Sequence, residues 1–153
     1  MKKLHFSLMA ILFALFAMVS FTACSSDDDD TPSTEEIKTN IVGMWQIVHI
    51  SGWTYDDTED ENLMKVDQDV PEQDSERFLF KSDGTYKMYW YLGNYGWQSS
   101  RLNNNYEIYG NKIELEGEGV YTVLSLKGDV VVLQYTMDEG PQYKTNITCK
   151  RVD

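Results

Sequence analysis

Chemistry needs particular side chains at particular spacings, and this sequence holds few of them. It has two histidines, His5 and His49, and two cysteines, Cys24 and Cys149. They show neither the paired spacing of a zinc site nor the density of a disulfide framework. A thiol beside an imidazole is a nucleophile and its base. No third group that would orient such an imidazole is evident, and a free cysteine is commonly a small buried hydrophobe. Carboxylates are abundant, but most fall in the run Asp56-Asp57-Thr58-Glu59-Asp60-Glu61, in Asp67-Gln68-Asp69, or at outward strand positions. Nothing there would raise a pKa. The run lacks the Asp-x-Asp-x-Asp-Gly spacing of a calcium loop, so a solvated charge run is expected. Gly-x-Ser-x-Gly and phosphate-loop patterns are absent. The expectation is a protein that is not an enzyme and carries no metal and no cofactor.

The other unusual segment is aromatic. Tyr86-Lys87-Met88-Tyr89-Trp90-Tyr91-Leu92 places large rings on both faces of one strand. Period two puts Tyr86, Met88, Trp90 and Leu92 on an inner face. Tyr89 and Tyr91, with Tyr95 and Trp97 just beyond, fall on an outer one. Such rings either pack on the pleated surface or form a platform for a protein or glycan partner.

The 153 residues fit one domain with its own core. Lys and Arg number 13 against 25 Asp and Glu, a formal charge of -12. This argues against nucleic acid as a partner, because phosphate is neutralised by basic surface. From residue 41 onward the pattern is period two broken by turn residues, with no convincing helix. Strands are predicted at 43–50, 76–81, 85–92, 105–109, 112–116, 120–126, 130–136 and 142–152. Turns lie at Ser82-Asp83-Gly84, Gly110-Asn111 and Lys127-Gly128-Asp129. About eight strands joined by short turns predict an all-β, antiparallel up-and-down barrel. The competing architecture is an open sandwich.

Residues 1–23 read as an export leader. Lys2 and Lys3 precede an apolar run from Phe6 to Phe21, to be removed and kept out of the fold. Phe21-Thr22-Ala23-Cys24 resembles the lipobox of bacterial lipoproteins, which implies acyl chains on Cys24 and a membrane as partner. Residues 24–36 then form an acidic linker, and Cys24-Ser25-Ser26-Asp27-Asp28-Asp29-Asp30 resembles the export signal of surface lipoproteins of the Bacteroidetes. That resemblance implies an outer-membrane protein displayed on the cell surface; a plain solvated tether is the other reading.

Residues 37–153 resemble the lipocalin-like domain of small bacterial lipoproteins. Gly43-Met44-Trp45 matches the family's Gly-x-Trp, a long acidic segment from Thr54 to Glu76 stands where lipocalins carry a loop over the mouth, and Lys150-Arg151 closes the last strand. The resemblance implies Arg151 packed across Trp45. It implies a small, partly apolar ligand in the barrel; strand parity then gives the lining as Trp45, Ile47, Phe78, Phe80, Trp90, Ile113, Leu115 and Tyr143, and Leu63, Met64 and Val66 within the acidic segment are expected to tuck into the mouth as a lid. If Trp45 faces Arg151, antiparallel pairing sets Ile47 opposite Cys149 and His49 opposite Ile147, making His49 and Cys149 diagonal neighbours. The alternative is a solid barrel that binds protein or glycan through Tyr89, Tyr91, Tyr95 and Trp97.

Overall fold

The computed structural model describes residues 31–55 and 62–153. The leader, Cys24, the aspartates at 27–30 and the acidic run at 56–61 lie outside the described residues. A short helix, α1 (Thr34–Asn40), precedes ten strands: β1 (Gly43–Tyr55), β2 (Leu63–Asp69), β3 (Glu76–Phe80), β4 (Thr85–Tyr91), β5 (Trp97–Ser99), β6 (Asn104–Tyr109), β7 (Lys112–Leu115), β8 (Gly119–Lys127), β9 (Val130–Thr136) and β10 (Lys144–Val152). Eight of them close an antiparallel barrel in the order β1-β3-β4-β6-β7-β8-β9-β10, with β10 pairing back onto β1. These are the eight strands that alternation predicts, and closure replaces the open sandwich. The hairpin at 82–84 shows why short turns suffice. Gly84 takes a φ of +82°, and the Asp83 carboxylate accepts from the Thr85 N–H at 3.0 Å and its hydroxyl at 2.7 Å.

One end is shut by a single interlock. Trp45 pairs with Arg151 across the β1–β10 seam, and the guanidinium lies 4.3 Å from the indole centroid. The same guanidinium donates to the carbonyls of Val42 (2.7 Å) and Asn40 (2.6 Å), while the Trp45 indole N–H donates to Ile41 O at 2.6 Å. Gly43 is required there. A Cβ on it would overlap the Arg151 guanidinium, and its φ of +133° suits no other residue. The Gly-x-Trp motif and Arg151 are thus parts of one contact, the packing that the resemblance implies.

Helix α1 lies before residue 41, where the strand pattern begins, in a stretch for which no helix is predicted. Seven residues are too few for a helix to persist alone. Ser33 and Glu36 form a capping box, and Ile37 and Ile41 are fully buried against the barrel. The helix therefore starts inside the stretch read as linker.

The segment from Thr54 to Glu76 is also not a simple loop. It holds β2, which pairs with the outer half of β1 from His49 to Tyr55. Met64 is exposed and Val66 sits opposite Gly52, so this segment extends a hairpin and does not fold in as a lid. β1 changes neighbour along its length, from β3 at Gly43–Gln46 to β2 beyond. The change coincides with a β-bulge at Val48: Ile47 pairs with Cys149 but His49 pairs with Thr148. Val48 O accepts from Val70 N at 2.9 Å and Ile47 O from the buried Ser75 hydroxyl at 2.6 Å, which pins the connection at the bulge.

The buried helix side chain carries a measurable share of stability. Ile37→Ala is expected to lower unfolding free energy by about 2–5 kcal/mol, the usual cost of truncating a packed aliphatic. Urea denaturation reads the change; a loss below about 1 kcal/mol would mean that α1 does not seal the closed end.

Candidate functional site

Register decides which side chains look inward, and burial decides how far inside they sit. Along β3 exposure rises from Phe80 (2%) and Phe78 (3%) to the exposed Glu76. Along β4 it rises from Tyr86 (1%) through the half-buried Met88 to Trp90 (41%). On β8 and β9 the fully buried Val123 and Leu133 give way to half-buried Tyr121 and Tyr135. All these residues share the inward parity of their strands. The interior is therefore filled at the end near α1 and opens to solvent at the other.

The filled half holds six of the eight residues expected to line a ligand cavity. Trp45, Ile47, Phe78, Phe80, Ile113 and Leu115 point inward as alternation predicts, and each is 6% exposed or less in one continuous core. Phe80 stacks on Phe78 and Tyr86 (both 6.2 Å between centroids) and meets Tyr106 edge-on at 5.1 Å. Tyr143 lies before the start of β10, half-buried with its ring against Trp53 at 5.1 Å. Trp90 has the expected face but not the expected depth. It pairs with Glu76 in the last β3–β4 pair, at the rim, and Leu92 beyond it is 51% exposed.

The open end has its own composition. Glu76 pairs with Trp90 and Tyr121 with Tyr135, the two tyrosine rings 5.5 Å apart. Glu118, in the β7–β8 turn, lies within electrostatic reach of both Glu76 and Tyr121. β3 and β8 are four places apart in a ring of eight, so the interaction of Glu76 with Tyr121 crosses the mouth. Lost hydration, and then the Glu118 charge, push the Glu76 carboxyl above the ordinary range even though the residue is exposed as a whole. Burial, followed by Glu118, pushes the Tyr121 hydroxyl up to about 12. Both shifts follow from placing like charge in poorly hydrated surroundings. Glu76 shares the inward face of Phe78 and Phe80, apart from the loop and outward carboxylates for which no raised pKa is expected.

Two other predicted features stand elsewhere. His49 and Cys149 do not meet, because the Val48 bulge turns His49 to the outer face. Its Nδ1 and Nε2 lie 3.0 Å from carboxylate oxygens of Asp69 and Asp67 respectively. Cys149 is fully buried, and desolvation pushes its thiol up to about 12, far from a thiolate nucleophile. On the outer aromatic face, Tyr89, Tyr91 and Trp97 are half-buried. The Arg77 guanidinium covers Trp97 at 3.9 Å, Tyr91 meets it edge-on at 5.5 Å, and Glu72 accepts from its indole N–H at 3.4 Å. Tyr95 stands open, 79% exposed. Sequence reading passed over Tyr121 and Tyr135, although each stands two residues from a core position and parity alone gives their face.

Compared with models of known families, with curated proteins and with solved structures, the chain matches none.

The His49 contacts carry a pH dependence. A neutral imidazole donates from one nitrogen, so both carboxylate contacts become hydrogen bonds only in the imidazolium. The bond to Asp69 is the largest cause raising the His49 pKa above 6.5, with Asp67 adding to it against some desolvation. A raised folded value places the added stability below the ordinary histidine range and removes it as pH climbs through the folded value. NMR titration is expected to give a His49 midpoint above 6.5, lowered more by Asp69→Asn than by Asp67→Asn. A wild-type midpoint at or below 6.5 would break this account.

Proposed function

We propose that this chain is a non-enzymatic, lipocalin-like lipoprotein, anchored through Cys24 in the outer membrane and displayed on the cell surface, that binds a small, partly apolar molecule. The observation that carries the binding reading is the exposure gradient inside the barrel. The closed half is filled by buried side chains, so the binding surface is the mouth, where the inward residues Met88, Trp90, Tyr121 and Tyr135 remain partly exposed. A concave, mostly aromatic recess with a few converging polar groups is the usual form of a small-molecule site. This moves the ligand from the deep lining implied by family resemblance to a shallower position. The anchoring reading rests on Phe21-Thr22-Ala23-Cys24, and the surface reading on the Ser-Asp run behind it.

A second reading, a protein or glycan partner, draws support from the exposed edge of the β4–β5 hairpin. Trp90, Leu92 and Tyr95 stand open there, and rings of this kind anchor interfaces.

The neutral fluorophore N-phenyl-1-naphthylamine separates the two. Added to the chain from Ser25 to Asp153, it is expected to bind saturably, and Tyr121→Arg or Tyr135→Arg should weaken it at least tenfold. Tyr95→Ala should leave it unchanged; weakening by Tyr95→Ala alone would favour the exposed edge instead. On intact cells, external protease is expected to degrade the barrel domain without lysis, and protection until lysis would put the domain inside the envelope.

A further inference from the structure

We propose that the outer face of β3 and β4 binds a linear acidic oligosaccharide, one whose sugar rings carry carboxylate or sulfate groups. The proposal rests on the glycan side of the second reading above, shifts it from the hairpin edge to the sheet face, and is independent of the mouth. Register joins the residues directly. Gln46 on β1 pairs with Lys150 on β10 and with Arg77 on β3, Arg77 with Tyr89 on β4, and Tyr89 with Ser99 on β5. In the adjoining outward rows Leu79 pairs with Lys87, and Tyr91 with Trp97. These positions alternate with the buried Trp45, Phe78, Phe80 and Tyr86, so they face away from the core.

Charge gives the sign of the partner. The chain has a formal charge of -12, yet the outward strand positions of this face hold the cations Arg77, Lys87 and Lys150 and no carboxylate. Further round the barrel the balance reverses: Glu107 on β6 pairs with Glu114 on β7, both exposed. Among the described residues, Lys87 and Lys150 have no carboxylate within ion-pair distance. Arg77 has one, Glu72, at 3.6 Å. Its guanidinium is fixed by two hydrogen bonds to Gln46 Oε1 (2.8 and 3.0 Å) and by the Trp97 ring at 3.9 Å. An anion that reaches the lysines therefore gains charge-assisted hydrogen bonds without displacing an existing partner.

The rings give the chemistry of the rest. Tyr89 and Tyr91 stand half-buried on the same face of β4, about 7 Å apart, and Trp97 braces Tyr91 edge-on at 5.5 Å. Rings held in a sheet present apolar surface to the C–H faces of successive sugars, and their hydroxyls reach sugar hydroxyls. A ligand lying along β4 thus meets Lys87 and then two tyrosines, with Arg77 beside them and Lys150 two strands further on. A bilayer is a poorer fit, because the most exposed apolar side chains, Leu92, Tyr95 and Leu102, stand in loops and not on this face. Nucleic acid is poorer still, since three cations in so acidic a chain do not match a phosphate at every step.

Hexagalacturonate, a hyaluronan hexasaccharide and the methyl ester of hexagalacturonate test the class. Each is titrated calorimetrically into the full chain held in zwitterionic nanodiscs, with empty nanodiscs as the blank. At least one acid is expected to bind tenfold more tightly than the ester, which keeps the sugar rings and lacks the charge. Lys87→Gln with Lys150→Gln should erase that preference. Tyr89→Leu should weaken acid and ester alike, and Lys112→Gln, on another wall, should change neither. An unchanged thermal melt confirms that each variant stays folded. If the ester matches both acids, or the double lysine variant keeps the preference, the acidic-ligand proposal falls and a neutral glycan platform remains. If no sugar binds while vesicles of phosphatidylglycerol do, the face is a membrane contact and the proposal falls. If nothing binds, the glycan side of the second reading falls with it, and the mouth is judged separately by N-phenyl-1-naphthylamine.

Discussion

The guanidinium of Arg151 laid across Trp45 is the contact on which the rest of the barrel depends. It joins the first strand to the last, and through Asn40 and Val42 it ties both to the helix that seals the end. A planar group with fixed donors suits this position, because it stacks and hydrogen-bonds in directions a lysine ammonium cannot reproduce. The register set there propagates. With Trp45 opposite Arg151, Ile47 must meet Cys149, and the neighbouring strands inherit the same inward set. A slip of one residue would turn the core of each strand to solvent. Gly43 belongs to the same constraint, since the space its missing side chain leaves is occupied by the arginine.

From that end the interior changes character in layers. Aromatic and branched side chains fill the first layers, with Tyr86 reaching across to donate to Glu116 O at 2.8 Å. One inward step higher, the side chains become tyrosine, tryptophan and glutamate. The β1–β2 and β4–β5 hairpins rise from the ring on this side, so sheet continues where barrel closure has ended. A filled base stabilises the fold, and of the residues above it Met88 and Tyr121 still pack against it. Glu76 and Glu118 lie within electrostatic reach of each other there. The acidic balance of the whole chain adds a field of the same sign.

Much of this was legible in the residues. Alternation gave all eight ring strands, the Asp-Gly and Gly-Asn turns gave their connections, and Trp45, Ile47, Phe78, Phe80, Ile113 and Leu115 were rightly assigned to the interior. The misses have specific causes. Helix α1 lies in polar linker composition, and the Ser33–Glu36 capping pair is a weak signal until Ile37 and Ile41 are seen to be buried. β2 reads as charged loop because Leu63-Met64-Lys65-Val66-Asp67-Gln68-Asp69 owes its extended form to pairing with β1. The Val48 bulge breaks the two-residue count silently, and with it the supposed meeting of His49 and Cys149. Parity also says nothing about depth, which is why Trp90 was placed among the core residues and Glu76 went unremarked.

The chain enters the barrel at its closed end, through α1, and this fixes how the domain is presented. Nine peptide units separate Cys24 from Ser33, a reach of at most about 30 Å. An anchor at Cys24 would hold the molecule by its base, like a cup on a short cord with the opening turned away from the point of attachment. Encounter with a dissolved molecule would then take place on the far side from the lipid. Capture and release would require no passage along the bilayer surface. Lengthening the cord would widen the volume the cup explores without altering the cup itself.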